Sequence, residues 1–168
     1  MKTVSFTLMV FTLMILLGIF SSPLLAQSCN SKLETTTPDT RFHDNQNGTV
    51  TDKLTGLQWA RCSFGQAFEK GACHGEPHHL PWAITSLVIE QGWRLPELSE
   101  LNSLVELRCI RPAINTNIFP NTESAAYWSA TRFINKDGDY WQVNFLHGES
   151  GSEPTDAKAY VRLVRDAP

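Results

Sequence analysis

Positive charge is in short supply in this sequence: 14 Lys and Arg stand against 17 Asp and Glu, a formal net charge of −3 over 168 residues. General binding to nucleic acid or to an anionic membrane needs clustered Lys and Arg, so neither is expected as a partner. Charge of either sign is thin, at 18% of residues, while 42% are hydrophobic, which excludes wholesale disorder. Internal repeats and low-complexity blocks are absent. The length suits one domain with a proper core and is too small for two large ones.

Recognisable chemistry is scarce as well. Gly148-Glu149-Ser150-Gly151 has its second glycine one position too early for the Gly-x-Ser-x-Gly nucleophile elbow of a serine hydrolase. The acidic and amide run from Asp44 to Asp52 fails as a calcium loop: with Gly48 as the obligatory glycine, the first ligand position falls on His43, and no Glu closes the loop. Asp137, Asp139, Glu149, Glu153 and Asp156 cluster late in the chain, where paired carboxylates would serve a glycosidase or hold calcium. No spacing singles out an acid and its partner. The sequence therefore gives no catalytic residue, no metal site and no cofactor.

The N-terminus carries an address. Lys2 is followed by an apolar run from Val4 to Phe20, then Pro23 and the small residue Ala26. This is the grammar of a secretory signal over residues 1–26, cleaved after Ala26. The alternative is a retained anchor, but 17 residues lie at the lower edge of what crosses a bilayer of about 30 Å, and no basic stop cluster follows. A lipoprotein anchored at Cys29 ranks below both, because Ala26-Gln27-Ser28 is a poor acylation box. Cleavage removes Lys2 and no acid, so the mature charge falls by one to −4. A secreted, periplasmic or cell-surface protein without a stable membrane span is expected.

Cys29, Cys62, Cys73 and Cys109 all lie in the mature chain, and an even count in an oxidising compartment reads as two disulfides. Of three connectivities, Cys62–Cys73 is favoured because it closes a short loop containing Gly65 and Gly71. Cys29–Cys109 then staples the N-terminal arm to the body. Loop entropy assigns about 3 kcal/mol to the short loop and about 4.5 kcal/mol to the long one. The competing reading is a zinc site built from Cys62, Cys73, His74 and His78, which lacks the close Cys-x2-Cys knuckle of structural sites.

Residues 27–40 are polar and rich in breakers, an arm ahead of a domain spanning 41–168. Asn47-Gly48 and Thr55-Gly56 mark turns between short strands at Thr49–Thr51 and Leu57–Ala60. Residues 81–91 read as a helix opened by Pro81, with Trp82, Ile84, Leu87 and Val88 as its apolar stripe and Gly92 beyond its end. Residues 96–107 repeat the pattern, with Pro96 first, Glu97 and Glu100 in the first turn, and Leu98, Leu101, Leu104 and Val105 facing inward. Strands are expected at 126–131, 140–146 and 159–165, with Asp137-Gly138 turning before the second and a polar loop over 147–157. Hairpin, two helices and an antiparallel sheet make a single α+β domain.

Several blocks together resemble one bacterial family. They are Arg41-Phe42-x-Asp44, Asn47-Gly48-Thr49-Val50-Thr51-Asp52-x-x-Thr55-Gly56-Leu57-x-Trp59 and Gly92-Trp93-Arg94-Leu95-Pro96-x-x-x-Glu100-Leu101. Pro112-Ala113-Ile114-Asn115, Phe119-Pro120-Asn121-Thr122, Tyr127-Trp128-Ser129 and Val161-Arg162-Leu163-Val164-Arg165 follow in the same order. The pattern is similar to the C-terminal domain family of the Legionella collagen-like adhesin. The resemblance implies a C-type-lectin-like fold related to the formylglycine-generating-enzyme group. For the adhesin it also implies binding to sulfated glycosaminoglycans. Two departures stand out: no Gly-x-y repeat precedes the domain, and a charge of −4 disfavours a sulfated polyanion. An oxidase of the formylglycine-generating kind needs reactive cysteines late in the chain, and none follows Cys109. The Glu-Pro-Asn and Trp-Asn-Asp motifs of calcium-dependent lectins are missing, with Glu153-Pro154-Thr155 only a partial echo.

These features point to a non-enzymatic binding module whose partner is an extracellular glycan or, alternatively, an envelope protein. Trp59, Trp93 and Trp128 are expected in the core and Trp82 packed under its helix. Tyr140 and Trp141 are neighbours in one strand, so one must face outward, and they are the candidates for stacking on a sugar. Arg132 and Lys136 are the candidate basic contacts beside them. With Arg108 and Arg111 they are the candidates for a basic patch that a sulfated ligand would need. Arg94 is assigned to holding a carboxylate or carbonyls within the fold.

Overall fold

The computed structural model describes residues 26–85, 87, 89 and 92–167. Apart from Ala26, the expected signal segment lies outside the described residues. No helix among the described residues is long and apolar enough to cross a membrane.

The chain begins with β1 (Ser28–Cys29) and then builds a meander from β2 (Phe42–Asp44), β3 (Thr49–Asp52) and β4 (Leu57–Ala60). Its turns fall where the Gly dipeptides predict them. Gly48 and Gly56 take φ of +81° and +74°, a left-handed conformation that costs glycine nothing. Val50 and Trp59 lie opposite each other across β3 and β4, and both are buried. A small hairpin of β5 (Ala67–Glu69) and β6 (Ala72–His74) follows, then β7 (Leu80–Pro81), α1 (Trp82–Thr85) and α2 (Leu98–Asn102). The second half supplies β8 (Cys109–Ile110), β9 (Ala126–Arg132), β10 (Asp139–Asn144), β11 (Glu149–Pro154), β12 (Lys158–Ala159) and β13 (Val164–Asp166).

Two antiparallel sheets dominate. One has the order β13-β4-β3-β2, so the last strand returns to the N-terminal meander; the other is β11-β10-β9. Short pairs β1–β8, β7–β12 and β5–β6 tie the edges. Alternation along β9 serves two cores: Tyr127 joins one with Trp59, Leu101, Phe119 and Val143, while Trp128 joins the other with Leu95 and Val161. The architecture is mostly β with two short helices, compatible with the α+β class.

The disulfides are Cys62–Cys73 and Cys29–Cys109, with Cα separations of 5.5 and 4.0 Å. They consume the thiolates that the zinc alternative required, which disposes of that site.

Four segments depart from expectation. The helix over 81–91 shrinks to the single turn of α1. Pro81 belongs to β7 and faces Lys158, and Thr85 Oγ1 donates to the Trp82 carbonyl at 2.7 Å, competing with helix propagation. Ile84 and Leu87 are exposed, so the expected apolar stripe is not a buried face; Val88 lies outside the described residues. The helix over 96–107 is confined to α2. Beyond it the Ser103 carbonyl accepts from Arg41, and Val105 bridges to Ile114, which pulls the backbone away from a helical path. Leu104 and Val105 are buried nonetheless.

The polar loop over 147–157 is instead largely the strand β11. As an edge strand with mostly exposed side chains, it is held by its backbone ladder to β10, which leaves no apolar alternation to read. The expected strand over 159–165 divides into β12 and β13, because the chain changes partner from β7 to β4 around the buried Arg162.

Candidate functional site

Tyr140 and Trp141 project from opposite faces of β10, as the strand period requires. Both are partly exposed, and each already has an aromatic neighbour. Tyr140 stacks on Trp82 with ring centroids 3.6 Å apart and planes inclined by 19°. Trp141 meets Phe133 edge-on at 5.1 Å. Trp82 is fixed in turn by its indole N–H, which donates to the Ser129 carbonyl at 2.9 Å. The sequence assigned Trp82 only to helix packing, and nothing local predicts its meeting with Tyr140, 58 positions along the chain.

Arg132 and Lys136 stand at the end of the β9–β10 hairpin, next to Tyr140 in the fold: Arg132 is opposite Tyr140 in the ladder. Their charge is spent locally. The Arg132 guanidinium lies 3.0 Å from Asp137, and Lys136 Nζ lies 3.0 Å from Asp139, a carboxylate that is itself buried. Arg108 leans toward Glu106 at 3.8 Å, and Arg111 lines a separate cavity of about 650 Å³. The hairpin tip is therefore a set of neutralised pairs, a weak attractor for a polyanion.

The same face of the sheet carries a smaller feature beside the aromatic pair. Cross-strand partners share a face, and the register places Tyr140 opposite Glu153, Gln142 opposite Gly151, and Asn144 opposite Glu149. Together with Ala126 these polar residues line a depression of about 190 Å³. Glu149 and Glu153 lie exposed on its rim. They occupy strand positions four apart, about 13 Å along the backbone, beyond the separation of a glycosidase acid pair.

Trp93, expected in the core, is half-buried and lines another groove of about 400 Å³ with Phe64 and Phe68. Guanidinium groups cap two of these rings: Arg165 lies 4.5 Å from the Trp93 centroid and Arg61 4.2 Å from Phe68. Trp59 and Trp128 are fully buried.

The perturbed carboxylates belong to the scaffold. Burial alone would raise the Asp52 pKa, but hydrogen bonds from Arg41, Thr55 and the Leu54 N–H outweigh it and hold the group below the usual range. Glu106 behaves alike, with burial overcome by the N–H groups of Thr37 and Thr36. Glu100 is held low chiefly by Arg94, which donates to both its oxygens at 2.7 and 2.8 Å. Arg94 thus has the structural role that its setting predicts. Among the described residues no three His, Cys, Asp or Glu side chains converge as a metal site.

Comparison with known proteins places this geometry in context. Residues 48–165, covering the strands from β3 into β13, match a family described as the Lcl C-terminal domain. No curated protein and no solved structure matches the chain.

Proposed function

This chain belongs to the Lcl C-terminal domain family, and from that premise we propose that it is an exported, non-enzymatic binding module with a C-type-lectin-like fold that recognises carbohydrate. The observation that carries the reading is Tyr140 on a sheet face, half-exposed and stacked on Trp82 of α1, beside amides and exposed carboxylates. Aromatic surface takes the apolar C–H face of a sugar while adjacent polar groups bond its hydroxyls. The return of β13 to the N-terminal meander supports the lectin-like kinship, and the two disulfides fit an oxidising compartment outside the cytosol.

The test is retention of the exported protein on a glycan array and on a heparin column. Array binding that falls at least about tenfold in Tyr140→Ala is expected; no array hits and no heparin retention would reject the reading. A second reading, an envelope or pilus-associated protein-interaction domain, is favoured by the exposed apolar side chains of Leu87 and Ile134. Pull-down of an envelope protein, insensitive to added sugars, would favour it.

A further inference from the structure

We infer that the depression floored by Gln142 and Gly151 is a binding site for an uncharged, hydroxyl-bearing sugar ring, and not for a sulfated glycan or a metal ion. The inference rests on the carbohydrate reading above and specifies its ligand.

Gly151 makes the space. It has no side chain, and a Cβ built on it would meet no atom within 4 Å, so the sheet is open above it. The resulting volume of about 190 Å³ has room for one small ring. Gln142, directly opposite, is only 6% exposed, yet its side-chain Nε2 has no hydrogen-bond partner among the described residues. A buried amide N–H left unpartnered is destabilising, so a partner from outside is called for. Asn144 has its Oδ1 taken by the Leu146 N–H at 2.9 Å, which leaves its amide nitrogen without a partner among the described residues.

The mixture of groups selects the ligand. Glu149 and Glu153 accept hydrogen bonds only, while the two amides also supply N–H donors. A hydroxyl donates and accepts at once, so the hydroxyls of one ring would bond the amides and the carboxylate they lie beside. A sulfate accepts only and would face a carboxylate at either end of the depression. A metal cation would take the carboxylates but leave the amide N–H groups unpaired. The Trp82–Tyr140 pair lies two residues along β10 from Gln142, about 7 Å, within the span of a single sugar.

The experiment compares wild type with Gly151→Leu on an array printed with neutral and sulfated oligosaccharides, read at low and high salt and with and without EDTA. The φ of Gly151 lies outside the left-handed region, so leucine fills the depression without backbone strain. Wild-type binding to neutral glycans, unaffected by salt or EDTA and at least about tenfold weaker in Gly151→Leu, is the expected result. Equal neutral-glycan binding by both proteins overturns this site while leaving the carbohydrate reading intact. Binding confined to sulfated glycans and lost at high salt, or abolished by EDTA, overturns the choice of ligand. Absence of any glycan binding by wild type overturns both. Should Gly151→Leu fail to fold, the double variant Glu149→Gln/Glu153→Gln, isosteric and on exposed positions, decides: the same loss supports the site, and unchanged binding overturns it.

Discussion

Arg162 shows how much one side chain organises here. It is fully buried with no ion-pair partner among the described residues, and burial pulls its pKa below the ordinary arginine value. Its guanidinium instead donates to the carbonyls of Ala60 and Arg61 at 2.9 and 2.6 Å and to Thr122 Oγ1 at 2.7 Å. The rings of Phe119 and Tyr127 lie 4.9 and 5.7 Å from its central carbon. The two carbonyls sit where β4 ends and Thr122 in the segment before β9, so Arg162 fixes the path by which the chain passes from β12 to β13. Truncation to alanine leaves a cavity and three unpartnered acceptors. Arg162→Ala is expected to lose about 3–5 kcal/mol of unfolding free energy, measured by urea titration. In the sequence Arg162 is one polar position in an alternating strand. Its burial follows from strands that meet only in the folded chain.

At the scale of elements, α2 is too short to be stable alone and is held by its termini and its packing. The Glu97 N–H donates to Glu100 Oε2 at 2.7 Å, while the same carboxylate grips Arg94 in the preceding segment. One residue therefore caps the helix and joins it to its lead-in. Because the Arg94 side chain is 40% exposed, the ion pair is discounted for solvent. Glu100→Ala is expected to cost about 1 kcal/mol, with Glu100→Gln recovering the cap but not the charge; thermal unfolding of the two variants separates these parts. The Glu97-x-x-Glu100 spacing made the start of this helix legible. Its early end was not, since that depends on Arg41 and Ile114 competing for the following backbone. Similarly, β11 is invisible as a strand because its pairing with β10 uses backbone groups common to every residue.

Over the whole molecule, buried carboxylates join segments distant in sequence. Glu106 accepts from the N–H groups of Thr36 and Thr37, docking the N-terminal arm next to the Cys29–Cys109 bridge. Asp52 takes Arg41 in a bidentate pair at 2.8 and 2.5 Å. With Glu100, these groups have pKa values lowered by folding. A carboxylate that holds its proton less tightly when folded contributes stability that is complete above its unfolded pKa and lost as pH falls through its folded one. Unfolding free energy is thus expected to hold steady from neutral pH down to about 5 and to decline below about 4. Glu106→Gln should flatten that decline while lowering stability at neutral pH. An equally steep acid loss in the variant would show that Glu106 has no part in it.

Local chemistry, legible along the chain, settled the turns at Asn47-Gly48 and Thr55-Gly56, the adjacency of Tyr140 and Trp141 on opposite faces, and a carboxylate for Arg94. Each depends on residues close in sequence or on a conformation that few residue types adopt. Tertiary structure alone decided that Trp82 would stack on Tyr140, that Arg132 and Lys136 would be neutralised by acids beside them, and that Gln142 would be buried opposite an empty glycine. Those outcomes require strands to pair in one register and bury one face. Registry of that kind is fixed by the energy of the assembled sheet and core, which no short stretch of sequence contains.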